Sequence, residues 1–217
     1  MAQTEQKNQN VKKQFEELQS LLERAMALQT SMVLFEWDDE TLAPKGAAEH
    51  TARVIGSLSE QYQEILASMR FKELLDACQK AEKENAGVFD EVQSAILREA
   101  DEEQERLSCI PPEEYRAYAE LTARATGIWT RAREKNDFAS FAPVLKEIIS
   151  YQKKFAAYRA KPGQKLYDVM LDTYEKGFNM EMLDPFFELM KGKIVPLLKE
   201  SAERSKTVPD AFLSADY

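Results

Sequence analysis

At 217 residues, with 44% apolar and 31% charged side chains, the chain has the composition of a folded globular protein able to bury roughly 70% of its unfolded surface. A net charge of −9 offers no basic face to displace counterions, which excludes general nucleic-acid binding. No run of about 18 apolar residues is present to cross a membrane, and the start, Met1–Lys7, has no apolar core of the signal-peptide kind.

Apolar residues recur at helical spacing along most of the chain. Val11, Phe15, Leu18, Leu22, Ala25 and Met32 form one stripe, predicting a helix that ends around Trp37, because Pro44 and Gly46 cannot continue it. Ala47 to about Met69 reads as a second helix with Val54, Leu58, Tyr62 and Ile65 on one face. A third is expected over Arg70–Glu84, stopped by Asn85-Ala86-Gly87. Val88, Val92, Ala95, Ile96 and Ala100 start a fourth, whose far end, Arg98–Arg106, is a charge run read as a solvated face. Pro111-Pro112-Glu113-Glu114 starts a fifth, since proline and acids both suit a first turn. It carries Tyr115, Tyr118, Leu121, Ile128 and Trp129 to near Asn136.

Asp137 is a cap for a sixth helix with Phe138, Phe141, Leu145, Ile148, Ile149 and Phe155 inward, broken at Lys161-Pro162-Gly163. Leu166–Glu175 is a short seventh. Asn179 or Asp184 caps the last, which carries Phe186, Phe187, Met190, Ile194 and Leu197; Pro185 suits its first turn and Pro196 would kink or shorten its end. The expected fold class is all-α, an array of about eight helices, with residues 1–205 as one helical domain. Residues 206–217 form a tail with Pro209, Phe212, Leu213 and Tyr217; its apolar residues suggest something downstream to cover them, or a tail that docks on its own domain.

The residue inventory limits chemistry. A hydrolytic zinc site takes about three His, Asp or Glu ligands, usually with a helical H-x-x-x-H pair, and the chain has His50 as its sole histidine. A di-iron bundle takes paired E-x-x-H motifs, but Ala47 stands three before His50. A Ser or Cys nucleophile has no histidine base in motif context, and there is no Gly-rich phosphate loop. No catalytic, metal-binding or cofactor-binding residue is therefore assigned. Cys78 and Cys109 lack zinc-ribbon or C-x-x-C spacing and read as reduced thiols of a cytoplasmic protein, with one structural disulfide as the rival reading. Asp38, Asp39 and Glu40 leave carboxylate chemistry open. The structural alternative is that Asp38 or Thr41 caps the following turn and Trp37 seals the helix end.

Several blocks carry a resemblance. Trp37-Asp38-Asp39-Glu40-Thr41, Pro44 and Gly46 resemble the W-D-x-E-T-x-x-P-x-G segment of the M32, Taq-type thermostable metallocarboxypeptidases, and Arg53 falls where that family carries an Arg. Trp129, Ala132-Arg133-Glu134, Asn136-Asp137-Phe138, Phe141, Pro143 and Leu145 resemble its W-x-x-A-R-E-x-N-D-F-x-x-F-x-P-x-L block. Tyr167-Asp168, Leu171-Asp172, Tyr174-Glu175 and Gly177 are similar to its Y-D-x-L-L-D-x-Y-E-x-G block, with Met170 at the first Leu. Leu183-Asp184-Pro185-Phe186-Phe187 and Val195-Pro196-Leu197 also match.

The resemblance implies the N-terminal portion of a larger helical metallopeptidase that removes C-terminal residues from peptides. In the family the H-E-x-x-H helix lies beyond the point matching Tyr217, so this region is expected to be inactive by itself and to help wall the substrate groove. Trp37, Asp38, Tyr167, Asp168, Tyr174 and Glu175 are the expected wall or support residues. A divalent metal of the zinc or cobalt type is expected for the full-length parent and none in this chain. The implied partners are the remainder of the parent chain, a peptide substrate and a second copy in a homodimer, with no nucleic acid and no membrane. The alternative function is a stand-alone, non-catalytic helical peptide-binding or scaffolding module.

Overall fold

The computed structural model describes residues 2–44, 46–85 and 87–205. The expected tail at 206–217, and the turn residues Lys45 and Ala86, lie outside the described residues. The described residues form helices α1 (Ala2–Thr41), α2 (Ala48–Leu66), α3 (Met69–Glu84), α4 (Glu91–Ser108), α5 (Pro112–Glu134), α6 (Phe138–Arg159), α7 (Leu166–Tyr174) and α8 (Met180–Ser205). The chain divides into two compact units, Met1–Arg159 and Ala160–Tyr217. The division falls inside the stretch 1–205 read from sequence as one domain.

In the first unit, α2 packs mainly against α5 and α1, α5 against α6, and α3 against α1 and α4. The core joins Val11, Phe15 and Leu18 of α1 to Leu66, Phe71, Leu74, Leu75 and Cys78, and to Phe89, Leu97 and Leu107. Phe15 and Phe89 stack with ring centroids 5.1 Å apart. Buried Gln63 of α2 donates from Nε2 to the carbonyls of Leu107 (3.0 Å) and Ile110 (2.6 Å), satisfying acceptors where α4 runs out.

Several boundaries and faces differ from the sequence expectation. α1 runs one turn past Trp37, to Thr41. α4 starts at Glu91, not Val88, because Asp90 and Gln93 form a capping box: Gln93 N–H donates to Asp90 Oδ1 (2.8 Å) and Asp90 N–H to Gln93 Oε1 (3.0 Å). Val92 is consequently 68% exposed, and the buried face is Leu97, Ala100, Gln104 and Leu107. Phe138 (67% exposed) and Ile149 lie outside the α6 core face. Asn179 Oδ1 accepts from Met182 N–H (3.0 Å), so Pro185 and Pro196 sit inside α8 and neither ends it. Each removes one rung of the hydrogen-bond ladder while flanking turns continue.

Two further expectations hold. The charged end of α4 is a solvated face, where Glu103 receives Tyr62 O–H (3.0 Å) and Arg106 Nε (2.9 Å). Both cysteines are free; burial pushes the Cys78 thiol up to about 11. Burial also raises Cys109, with Arg159 acting the other way. Since the thiolate is the reactive form, a maleimide at pH 8 is expected to label Cys109 slowly and Cys78 only on unfolding. Rapid labelling of both in the native protein would contradict this placement.

The buried face of α2 is also displaced from the predicted one. Val54, Leu58, Tyr62 and Ile65 are half-buried, while Ala52, Ile55, Gly56, Ser59, Gln63 and Leu66 are buried. Small residues permit the close approach of α5. A Cβ on Gly56 would stand 2.3 Å from Glu120 Cγ, and Glu120 is held by Arg116 Nε at 3.1 Å. Gly56→Ala is expected to destabilise by about 1–2 kcal/mol through overpacking. In a Glu120→Ala background it is expected to stabilise by roughly 0.5–1 kcal/mol, the ordinary helix-propensity gain. Urea denaturation of the four-member cycle reads the reversal; equal effects in both backgrounds would refute the steric account.

Candidate functional site

The first candidate segment closes α1. Asp38 contributes its backbone carbonyl, which accepts from Leu42 N–H (2.9 Å) and Ala43 N–H (2.8 Å). Thr41 Oγ1 donates to the Trp37 carbonyl at 2.6 Å. The helix end is thus closed by backbone and by Thr41, while Trp37 is 57% exposed and seals nothing. Extending α1 by one turn places Glu36, Asp39 and Glu40 at i, i+3 and i+4, on one helical face.

That face borders a cleft of about 520 Å³ between α1, α2 and α5. Met32, Val33, Glu36, Asp39 and Glu40 line it from α1; Thr51, Ala52, Ile55 and Ser59 from α2; Tyr115, Tyr118, Ala119 and Thr122 from α5. A second cleft of about 530 Å³ shares Asp39, Glu40, Ala48 and Thr126 with the first, and continues past Pro44 to Trp129, Arg131 and Glu134. The two form one groove along the first unit. Trp37 and Asp38 line neither part. Burial, with Glu103 adding to it, raises the Tyr115 hydroxyl above its ordinary range, so it enters any contact as a neutral phenol. Tyr118 O–H is engaged by Gln152, and its ring packs edge-on against Phe155 at 5.3 Å.

The other sequence candidates belong to the second unit and chiefly build its turn. Asp168 Oδ1 accepts from Met180 N–H (2.8 Å) at the start of α8, and Asp172 Oδ1 accepts from Gly177 N–H (2.8 Å). Gly177 has φ of 83°, a left-handed conformation open to glycine. Glu175 donates its N–H to Leu171 O (2.9 Å) and accepts from Phe178 N–H (3.1 Å). Tyr167 is exposed and Tyr174 82% exposed.

The block around Trp129 is likewise turn chemistry. Asn136 N–H bonds the Arg133 carbonyl (3.1 Å), Asp137 N–H bonds the Ala132 carbonyl (2.8 Å), and Asn136 has φ of 52°, which together make a Schellman stop for α5. Asp137 Oδ1 then accepts from Ser140 N–H (3.2 Å), capping α6 as expected. Arg133 lies 5.1 Å over the Trp129 ring.

Among the described residues no three His, Cys, Asp or Glu side chains are grouped to hold a metal ion. His50 is exposed in the first turn of α2. The described residues therefore do not fit a catalytic divalent metal. No described helix is long and apolar enough to cross a membrane.

The all-helical fold is similar to that of solved carboxypeptidases, among them Trypanosoma cruzi Metallocarboxypeptidase 1, with a TM-score of 0.72 at 26% identity over 90% of this chain and 38% of that one. The sequence profile of the Carboxypeptidase Taq (M32) metallopeptidase family matches residues 17–217, and the chain belongs to that family. It is 32% identical over 197 residues to Carboxypeptidase 1 of Bacillus subtilis, covering 91% of this chain and 38% of that protein. It is 31% identical to Thermostable carboxypeptidase 1 of Pyrococcus furiosus, over 84% of this chain and 36% of the relative. The crystal structure of BsuCP superposes with a TM-score of 0.81 at 32% identity, over 87% of this chain and 37% of that one. The chain thus spans little more than a third of the length of these relatives.

Proposed function

We propose that the chain is the N-terminal helical region of a metal-dependent carboxypeptidase and walls part of the groove that receives the peptide. The observation that carries this reading is the family match over 17–217 against relatives of which the chain covers only 38% or less. The groove on the first unit supports it. So does α8, which has no buried residue and exposes Phe186, Phe187, Leu197 and Leu198, leaving apolar surface for another segment to cover.

In this reading the divalent metal, of the zinc or cobalt type, and the general base are supplied outside these residues, whose own donors do not fit a metal. The chain's contribution is to bind and orient the peptide. Each unit offers its own exposed aromatic surface, Trp37 outside the groove on the first and Tyr167 and Tyr174 on the second, with Asp38, Asp168 and Glu175 closing the turns beside them. A cytoplasmic setting and pairing of whole proteins as homodimers complete the reading.

The test is an assay of the purified chain on N-blocked peptides with added zinc or cobalt, alone and coexpressed with the remaining portion of the Bacillus relative. No turnover alone, and chelator-sensitive release of C-terminal residues from the coexpressed pair, is the expected result. Chelator-sensitive turnover by the chain alone would sink the supporting role. A second reading, a non-catalytic peptide-binding module, draws on the closed core around Leu18, Phe71, Leu74 and Leu75. A monodisperse protein that binds peptides yet never associates with the remaining portion would favour it.

A further inference from the structure

We infer that the cleft between α1, α2 and α5 is a subsite for an organic cation, the ammonium or guanidinium group of a peptide ligand. The inference deepens the peptide reading above and depends on it for the class of ligand.

The first observation is uncompensated charge. Glu36, Asp39 and Glu40 face the cleft, and no residue lining it is a Lys or Arg; Arg131 lines only the adjoining part, which Asp39 and Glu40 also border. None of the three forms an ion pair among the described residues. Several other acids of the same unit are matched: Glu17 with Arg70 at 2.5 Å, Glu60 and Glu120 with Arg116 at 3.0 and 3.1 Å, and Glu114 with Lys154 at 2.5 Å. Carboxylates lining a concave surface attract a cation more strongly than the same charges spread over a convex one.

The second observation is an unused donor–acceptor group. Thr51 is only 9% exposed, lies on the cleft wall, and its hydroxyl has no hydrogen-bond partner among the described residues. A hydroxyl on the cleft wall with no protein partner is free to meet a ligand's donor or acceptor. Ser59, farther in and 4% exposed, donates only to the weakly accepting Met32 Sδ at 3.0 Å.

The third observation is the character of the walls. Ala52, Ile55, Ala119 and Ala123 are small or apolar. Such a wall accommodates the methylene stem of a lysine or arginine while the head reaches the carboxylates. A metal ion is the wrong cation, because the acids are not grouped as ligands. The cleft, at about 520 Å³, has the size of a small-ligand site.

The ammonium can come from a lysine side chain or from a peptide N-terminus, and four probes separate the cases. They are acetyl-Ala-Ala-Lys-Ala, its norleucine counterpart, the norleucine peptide with a free N-terminus, and agmatine. Each is titrated into the isotope-labelled chain, with amide shifts and affinity as readouts. The lysine peptide is expected to shift the amides of Thr51, Ala52 and Ala119. Norleucine in its place is expected to weaken binding about tenfold, as loss of a charge-assisted contact does. A free N-terminus restoring the affinity of the norleucine peptide would assign the site to the terminal amine. The double variant Glu36→Gln/Asp39→Asn, at exposed and half-exposed positions, is expected to lose about tenfold toward the charged probes only. Thr51→Val, which preserves shape, is expected to weaken them further.

Equal binding of charged and neutral peptides, or an unchanged double variant, overturns the inference and leaves the peptide reading standing. Agmatine shifting the cleft amides while no peptide binds upholds the cation site and overturns the peptide reading. Silence from all four probes overturns both.

Discussion

Phe71→Ala is expected to cost about 3–5 kcal/mol of the first unit's stability, by loss of transfer energy and by the cavity it leaves. Phe71 is fully buried in the first turn of α3, where it meets residues of α1, α2 and α4 in one cluster. Its backbone N–H is itself a cap donor, to Ser68 Oγ at 3.2 Å, so the side chain is held from both ends. Against a total stability of about 5–15 kcal/mol, the melting temperature is expected to fall by roughly 6–20 °C. Phe71→Leu, keeping most of the volume, is expected to cost less. Urea denaturation followed by circular dichroism measures both. A loss under about 1 kcal/mol for the alanine variant, the level of an ordinary surface change, would show that the core is not centred there.

Gln63→Glu is the second severe change. Gln63 is fully buried; its Nε2 feeds two carbonyls at the end of α4, and its Oε1 has no partner. A carboxylate there loses both donors, turns like toward like, and buries a charge. The expected cost at pH 7 is about 3–5 kcal/mol. Gln63→Met keeps the shape, loses only the hydrogen bonds, and is expected to cost about 1–3 kcal/mol.

The pH dependence separates these causes. An unfolded glutamate titrates near about 4.3, and burial without a cation raises the folded value above that. Between the two values the folded variant holds the extra proton. Its stability is therefore greatest below the unfolded value and falls as pH rises toward the folded one. The Gln63→Glu and Gln63→Met variants are expected to converge near pH 4 and diverge by pH 7. A constant difference between them across that range would mean that no buried charge is involved.

Much of the fold was legible where local chemistry acts alone. Pro111-Pro112-Glu113-Glu114 starts α5, with Pro112 its first residue. Asp137 caps α6, and Gly163 and Gly177 turn the chain with positive φ. What was misread depended on partners. α2 turns its small residues and Gln63 inward, since α5 needs space there, and a reading weighted by apolar size selects Val54, Leu58, Tyr62 and Ile65 instead. Asp90 and Gln93 carried a capping-box spacing that the apolar run from Val88 obscured.

The groove was hidden by one turn of helix. With α1 stopped at Trp37, Asp38, Asp39 and Glu40 read as neighbours in a loop. With α1 continued to Thr41, Glu36, Asp39 and Glu40 become one face, and Trp37 and Asp38 turn away from it. Thr51, Tyr115 and Tyr118 joined them only through the packing of α1, α2 and α5, which no local pattern announces. The blocks that carried the family resemblance proved rich in stop and start signals, which explains why they identify the fold better than they identify a site.

The turn between α7 and α8 has a kinetic corollary. Asp172 reaches Gly177 across five residues, and Asp168 reaches Met180 across twelve. Closing a loop of about ten residues takes on the order of 10–100 ns, whereas a ribosome adds only about 5–20 residues each second. The bend is therefore set within the nascent chain as soon as Met180 emerges, and α8 grows from a start whose direction relative to α7 is already chosen. Its apolar side chains, Phe186, Phe187, Leu197 and Leu198 among them, are then exposed from the moment they are made.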